Sequence, residues 1–133
     1  MNAPALSEGV VAGDVRVWLR AEGLMVLALS VLLYRHLGSR WWIFVVLFLA
    51  PDLCMLAYLI NTRIGALAYN VIHSYVLPLV IAMVAVAVHR PGIASLLCIW
   101  GAHIGFDRFL GYGLKYQTAF KKTHLGNLGK AAS

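Results

Sequence analysis

Five ionisable side chains lie where an apolar environment would make them expensive. Glu22, Asp52 and Asp107 are three of only five acidic residues in the chain, and each falls within a long apolar run, as do His73 and His103. A charged side chain near the centre of a membrane-spanning helix costs about 2.5–3.5 kcal/mol on insertion scales, so such residues are kept where they have a partner or a task. Imidazole and carboxylate together suit zinc, iron or manganese. Asp52, His73, His103 and Asp107 are therefore candidate ligands of a divalent metal. Glu22, Asp52 and Asp107 are candidate acid–base groups, with Glu22 as a further ligand or general base. Arg20, Asn70 and Arg108 lie in the same runs and are candidates for orienting a polar substrate head. A structural alternative uses the same residues: Asp107 pairs with Arg108 or Arg20, and His103 hydrogen-bonds to Asp52, in a polar network that holds helices together where lipid supplies no hydrophobic drive.

These residues need helices to bring them together. Asn70 and His73 are three apart and His103 and Asp107 four apart, so each pair shares a helix face. Asp52 follows Pro51, which removes a backbone donor and disturbs the helix. The apolar runs predict four spans, at about 16–34, 41–60, 64–88 (interrupted by Pro78) and 93–114, with a short lead at 1–15 and a polar tail at 115–133. At 1.5 Å per residue, Glu22, Asp52, His73, His103 and Asp107 lie roughly 9–16 Å from one common end of these spans. Helices running in opposite directions thus place their polar groups at one level, and a single shared pocket is expected. Gly101 and Gly105 form a small-xxx-small pair on the opposite side of the fourth helix from His103 and Asp107, suited to close packing within the chain or to a homo-oligomer.

The whole chain supports this reading. Of its 133 residues, 62% are hydrophobic and 12% charged, against about a quarter charged in soluble domains. The expected class is all-α: a single polytopic membrane domain, a four-helix bundle in the lipid bilayer. Arg16, Arg20, Arg63, Lys115, Lys121, Lys122 and Lys130 fall on one side of the spans, and Arg35, Arg40 and Arg90 on the other. The bias places both termini in the cytoplasm. It also accounts for the net charge of +6 without nucleic acid, for which no motif is present. Glu8 and Asp14 suit a signal peptide poorly, and no small-residue cleavage site follows Leu33, so the first run is expected to be retained. Cys54 and Cys98 lack metal-type spacing and read as small apolar core residues.

The strings APDLCMLAYL (50–59), GALAYNVIHSYVLPL (65–79) and AHIGFDRFLGYGLKYQTAFKKTHLG (102–126) resemble the bacterial domain-of-unknown-function family DUF4260. The resemblance covers nearly the whole chain and implies a small multi-pass protein of the bacterial inner membrane. It carries over no catalytic residue.

The residues by themselves suggest a small membrane enzyme, metal-assisted or acid–base, whose site opens toward the cytoplasmic leaflet and takes a lipid-like small molecule. An ion or proton carrier, a metal-binding accessory subunit and a structural membrane protein are the alternatives. A relay should cross the whole membrane, and the outer half offers no carboxylate.

Overall fold

The structure, a computed structural model, describes residues 13–115, 122–123 and 125–127. The first span is α1, Gly13–His36. Gly38, at φ 70°, lets the chain reverse in the short connector, and α2, Trp41–Leu47, follows. Beyond it the helix tightens into a 3₁₀ segment, Ala50–Leu59. Pro51 sits in the first turn of this segment, where its missing N–H leaves no bond unmade, and Asp52 N–H donates three residues back to Leu49 O at 3.1 Å.

Three residues per turn align every third side chain. Leu53, Leu56 and Leu59 form one outward column, all exposed. Asp52, Met55 and Tyr58 form another, turned toward the neighbouring helices. An α-helix would spread each column around its axis. The span expected at 41–60 is therefore present as Trp41–Leu59, but its second half has a different helical geometry.

Asn61 caps the next helix by accepting from Ile64 N–H at 2.8 Å. This is α3, Thr62–His73. After an extended Ser74 (φ −95°, ψ 154°) the chain resumes as α4, Val76–Ala87, bent by 46° from α3. The expected break is present, four residues before the proline that causes it. Had the helix continued, the Pro78 ring would strike the carbonyl of residue 74; breaking there puts Pro78 in the first turn of α4, where it is tolerated. One 3₁₀ turn, Pro91–Ile93, leads into α5, Ala94–Leu110. Gly111, at φ 93°, ends α5: its N–H donates to Arg108 O at 3.0 Å and that of Tyr112 to Asp107 O at 2.8 Å, the two bonds of a Schellman cap.

Two helix pairings carry the fold. α1 lies antiparallel along α5, and the 3₁₀ segment lies on α3. A Cβ on Gly23 would come within 2.8 Å of the Gly105 carbonyl and 2.5 Å of Arg108 Cβ, while one on Gly105 would come within 2.7 Å of Gly23 O and Leu27 N. The Gly101 and Gly105 face is thus filled by α1 of the same chain. Toward the other end of the pair the Ser39 and Ser95 hydroxyls are hydrogen-bonded.

The helical architecture is as expected. Gly13–His36, Trp41–Leu59 and Pro91–Leu110 are each long and apolar enough to cross a membrane, and the bent pair α3–α4 supplies a fourth span when counted as one. Apolar side chains such as Trp18, Met25, Leu53, Leu59 and Val86 are exposed, the surface a lipid solvent requires. Lys122–Thr123 (β1) and Gly126–Asn127 (β2) pair antiparallel, and Leu125 between them is fully buried. Lys121, Lys130 and most of the lead at 1–15 lie outside the described residues.

Candidate metal centre

Three segments deliver four side chains to one point. Asp52 comes from the 3₁₀ column, His73 from the last residue of α3, and His103 and Asp107 from successive turns of α5. One donor atom from each lies within 4.8 Å of all the others. His73 Nε2 is 3.0 Å from His103 Nε2, 3.2 Å from Asp52 Oδ1 and 3.5 Å from Asp107 Oδ2. His103 Nε2 is 3.3 Å from Asp52 Oδ1 and 3.4 Å from Asp107 Oδ2. A tetrahedral ion with ligand bonds of about 2.0–2.1 Å needs its ligand atoms about 3.3–3.4 Å apart. Five of the six edges thus surround the tetrahedral value. The sixth, between the two carboxylates, lies within the 4.8 Å that bounds the group.

Hydrogen bonding alone serves this cluster poorly. Each Nε2 carries at most one proton, and an ionised carboxylate carries none, so two protons would have to satisfy five close contacts. His73 already donates from Nδ1 to Tyr69 O at 3.1 Å. In neutral imidazole that leaves Nε2 as a lone pair, aimed at two carboxylates and a second imidazole. A backbone carbonyl on the far nitrogen is the usual support of a metal-bound histidine.

The rings are held on both sides. Tyr69 stacks on His73 with centroids 3.8 Å apart and planes at 9°, and Phe48 meets His103 edge-on at 5.5 Å. His103 Nδ1 is buried beside the Phe48 backbone, without a hydrogen bond of good geometry. Both imidazoles are inaccessible, and the Asp107 side chain is 11% exposed against 38% for Asp52. Cys54 Sγ stands 3.7 Å from His73 Nδ1 and outside the group of four donor atoms.

The break between α3 and α4 frees backbone carbonyls that need partners when buried, and α5 supplies them. Trp100 Nε1 donates to Ile72 O at 2.8 Å, and Arg108 Nη2 to His73 O at 2.8 Å. Arg108 Nη1 donates to Tyr112 O at 2.7 Å. Arg108 therefore supports the centre from behind by fixing the backbone of His73. Replacing Arg108 by methionine removes two charge-assisted hydrogen bonds and should cost about 3 kcal/mol. A clear fall in the thermal midpoint of the detergent-solubilised protein checks this; an unchanged midpoint contradicts it.

Of the residues expected to share a pocket, Asp52, His73, His103 and Asp107 come together in one group, although only the two carboxylates border a cavity. Glu22 does not join them: it is exposed on α1 and outside the four-residue group. Position 22 directly precedes Gly23, whose backbone is pressed against α5, and the Glu22 side chain leaves the interface. Arg20 is also exposed, with Nε donating to Phe109 O at 2.8 Å, and ties α1 to the end of α5. Asn70 holds the chain after α5: its Nδ2 donates to Lys115 O at 2.8 Å and its Oδ1 accepts from Lys115 N–H at 2.6 Å.

That pair of hydrogen bonds brings in a residue that the sequence assigns only to the orientation bias. Lys115 is buried, its ammonium 4.3 Å from the Tyr69 ring centroid and 5.2 Å from that of Tyr58. Burial pushes it down to about 8, against the fields of Cys54, Asp52 and Asp107. Lys115, Tyr69, Tyr112, Met55 and both carboxylates line a cavity of about 150 Å³; neither histidine does. The carboxylate edge of the tetrahedron faces this space. In the sequence only the Asn70 pairing could have pointed to Lys115, and that contact spans 45 residues.

Fold and site together define a helical protein, long and apolar enough in its helices to cross a membrane, with a buried two-histidine, two-aspartate group able to hold a metal ion. The chain belongs to the family described as a domain of unknown function, DUF4260, whose model matches residues 16–128. That stretch includes every residue of the centre. No match is found among curated proteins or among solved structures.

Proposed function

We propose that this chain is a small multi-pass membrane enzyme whose Asp52, His73, His103 and Asp107 hold one divalent metal ion, and that it acts on a lipid-like molecule entering from the bilayer. The observation that carries the reading is the set of five donor–donor distances, 3.0–3.5 Å, converging from three segments. Two neutral imidazoles and two carboxylates neutralise a dication, which is what a low-dielectric site requires. Zinc fits the near-tetrahedral set best; iron and manganese take the same ligands. Bound there, such an ion would act as a Lewis acid and lower the pKa of a coordinated water. Asp52, the most accessible of the four, and Asp107 border the cavity where substrate would meet the ion. Protein purified gently in detergent should contain about one equivalent of zinc, iron or manganese per chain. Absence of metal after both gentle purification and reconstitution sinks the reading in favour of a polar structural network.

The charge bias of the loops supports a bacterial inner-membrane location with both termini cytoplasmic. Reporter fusions at Lys130 and after Arg63 should then read cytoplasm, and fusions at Ser39 and Arg90 the opposite side. A periplasmic C-terminus would invert the site.

A further inference from the structure

The turn between α4 and α5 carries a strained residue. α4 ends in the two bonds of a Schellman cap, from His89 N–H to Val86 O at 3.1 Å and from Arg90 N–H to Ala85 O at 2.8 Å. Such a cap needs a left-handed residue at its centre, a place that favours glycine. Gly111 fills it after α5. After α4 it is His89, at φ 53°, the one non-glycine at positive φ among the described residues. A bulky side chain kept in such a conformation points to a task for that side chain.

The imidazole borders a space where it can act. His89 and Arg90 line a cavity of about 520 Å³ between α4 and α5, together with Ala82, Ala85, Ala94 and Leu97. The three alanines leave a gap that larger residues would close. A groove of similar size shares Ala82 and Val86 with it and continues along α4 past Met83 to Leu79. Leu79, Met83 and Val86 are exposed. From Leu79 to the end of α4 the groove runs about 12 Å, most of the roughly 15 Å of one hydrocarbon leaflet.

The space is basic at one end and apolar along the rest. Among the described residues neither the Arg90 nor the His89 side chain has a hydrogen bond or ion pair, and no acidic residue stands between Asp52 and Asp107 in the chain. The orientation bias does not account for Arg90, which falls on the side with fewer basic residues. Basic groups at a membrane surface attract anionic headgroups. A zwitterionic head would bring its own cation to Arg90, and a free phosphate would leave the apolar groove unfilled.

We infer that the end of α4 is a binding site for one anionic phospholipid, its phosphate on Arg90 and His89 and an acyl chain along the groove between α4 and α5. The inference rests on the membrane part of the proposed function and not on the metal.

The test titrates detergent-solubilised protein with dioleoyl phosphatidylglycerol or dioleoyl phosphatidylcholine and counts bound lipid by native mass spectrometry. Wild type should prefer phosphatidylglycerol by about tenfold, the effect of one charge-assisted hydrogen bond. Arg90→Gln should lose that preference. Ala82→Phe should weaken both lipids alike by filling the groove. His89→Gly should weaken phosphatidylglycerol severalfold and yet raise the thermal midpoint of the lipid-free protein, because glycine relieves the left-handed strain. A residue that only shaped the turn would give the second effect without the first. Equal affinity of wild type for the two lipids, an unchanged preference in Arg90→Gln, or wild-type binding by His89→Gly or Ala82→Phe overturns the site. None of these residues belongs to the metal group, so these failures leave the metal reading standing. A chain that stays monodisperse without detergent overturns the membrane reading, and the lipid site with it.

Discussion

His103→Ala should empty the centre. The imidazole contributes Nε2 to three of the five close donor contacts, including the shortest, at 3.0 Å from His73. Partners that only support a metal ligand are worth about ten- to a hundredfold in affinity, so loss of a ligand itself should cost at least about a hundredfold. The ion in turn stabilises the fold by mass action, by about 4 kcal/mol where free metal exceeds its dissociation constant a thousandfold. The variant should thus be purified without metal and melt several degrees below the loaded wild type, and added metal should raise the midpoint of the wild type alone. Asp107→Ala should behave the same way. Cys54→Ala should not, because its sulfur stands 3.7 Å from His73 Nδ1 and outside the group of four donor atoms. Full metal retention by His103→Ala would mean that the ion, if any, sits elsewhere.

The second large effect is steric. Gly105→Leu puts a side chain where a Cβ alone would sit 2.7 Å from the Gly23 carbonyl and the Leu27 amide. The obstacle is backbone, so α1 has to move away from α5. Overpacking typically costs about 1–3 kcal/mol when side chains yield, and more when they cannot. Because α5 carries His103 and Asp107, the same change should also impair metal retention. Gly101→Ala should be milder, since its added Cβ meets only the Ser30 hydroxyl at 3.0 Å, and Gly92→Ala, facing open space, should be neutral. Thermal midpoints measured on detergent-solubilised protein would rank the three. Equal midpoints for Gly105→Leu and wild type would mean that α1 and α5 do not cross at these glycines in solution.

Features written in local spacing were legible in the sequence. His103 and Asp107, four residues apart, and the place of Asp52 and His73 within long apolar runs point to one shared site, and the structure assembles those four. Gly101 and Gly105 were placed on the opposite side of the same helix, where α1 now lies. Glu22 was drawn into the pocket by depth alone, and depth does not fix rotation about α1; its neighbour Gly23 sets that rotation by a contact with α5 invisible in the local pattern. The 3₁₀ geometry of Ala50–Leu59 was legible only as a period of three, D-x-x-M-x-x-Y against L-x-x-L-x-x-L, easily absorbed into a uniformly apolar run. Lys115 was out of reach for another reason. In a basic tail a lysine reads as an orientation signal, and its burial depends on Asn70, 45 residues away.

X-ray absorption at the metal edge tests the central claim most directly, because it reports the ion's own ligands. Metal-loaded wild type should show a first shell of nitrogen and oxygen only, at about 2.0–2.2 Å, with the outer-shell scattering of two imidazoles, and His73→Ala or His103→Ala should abolish the site. A sulfur scatterer near 2.3 Å, which would place Cys54 on the ion, or a shell without imidazole, would contradict the assignment of the centre to Asp52, His73, His103 and Asp107.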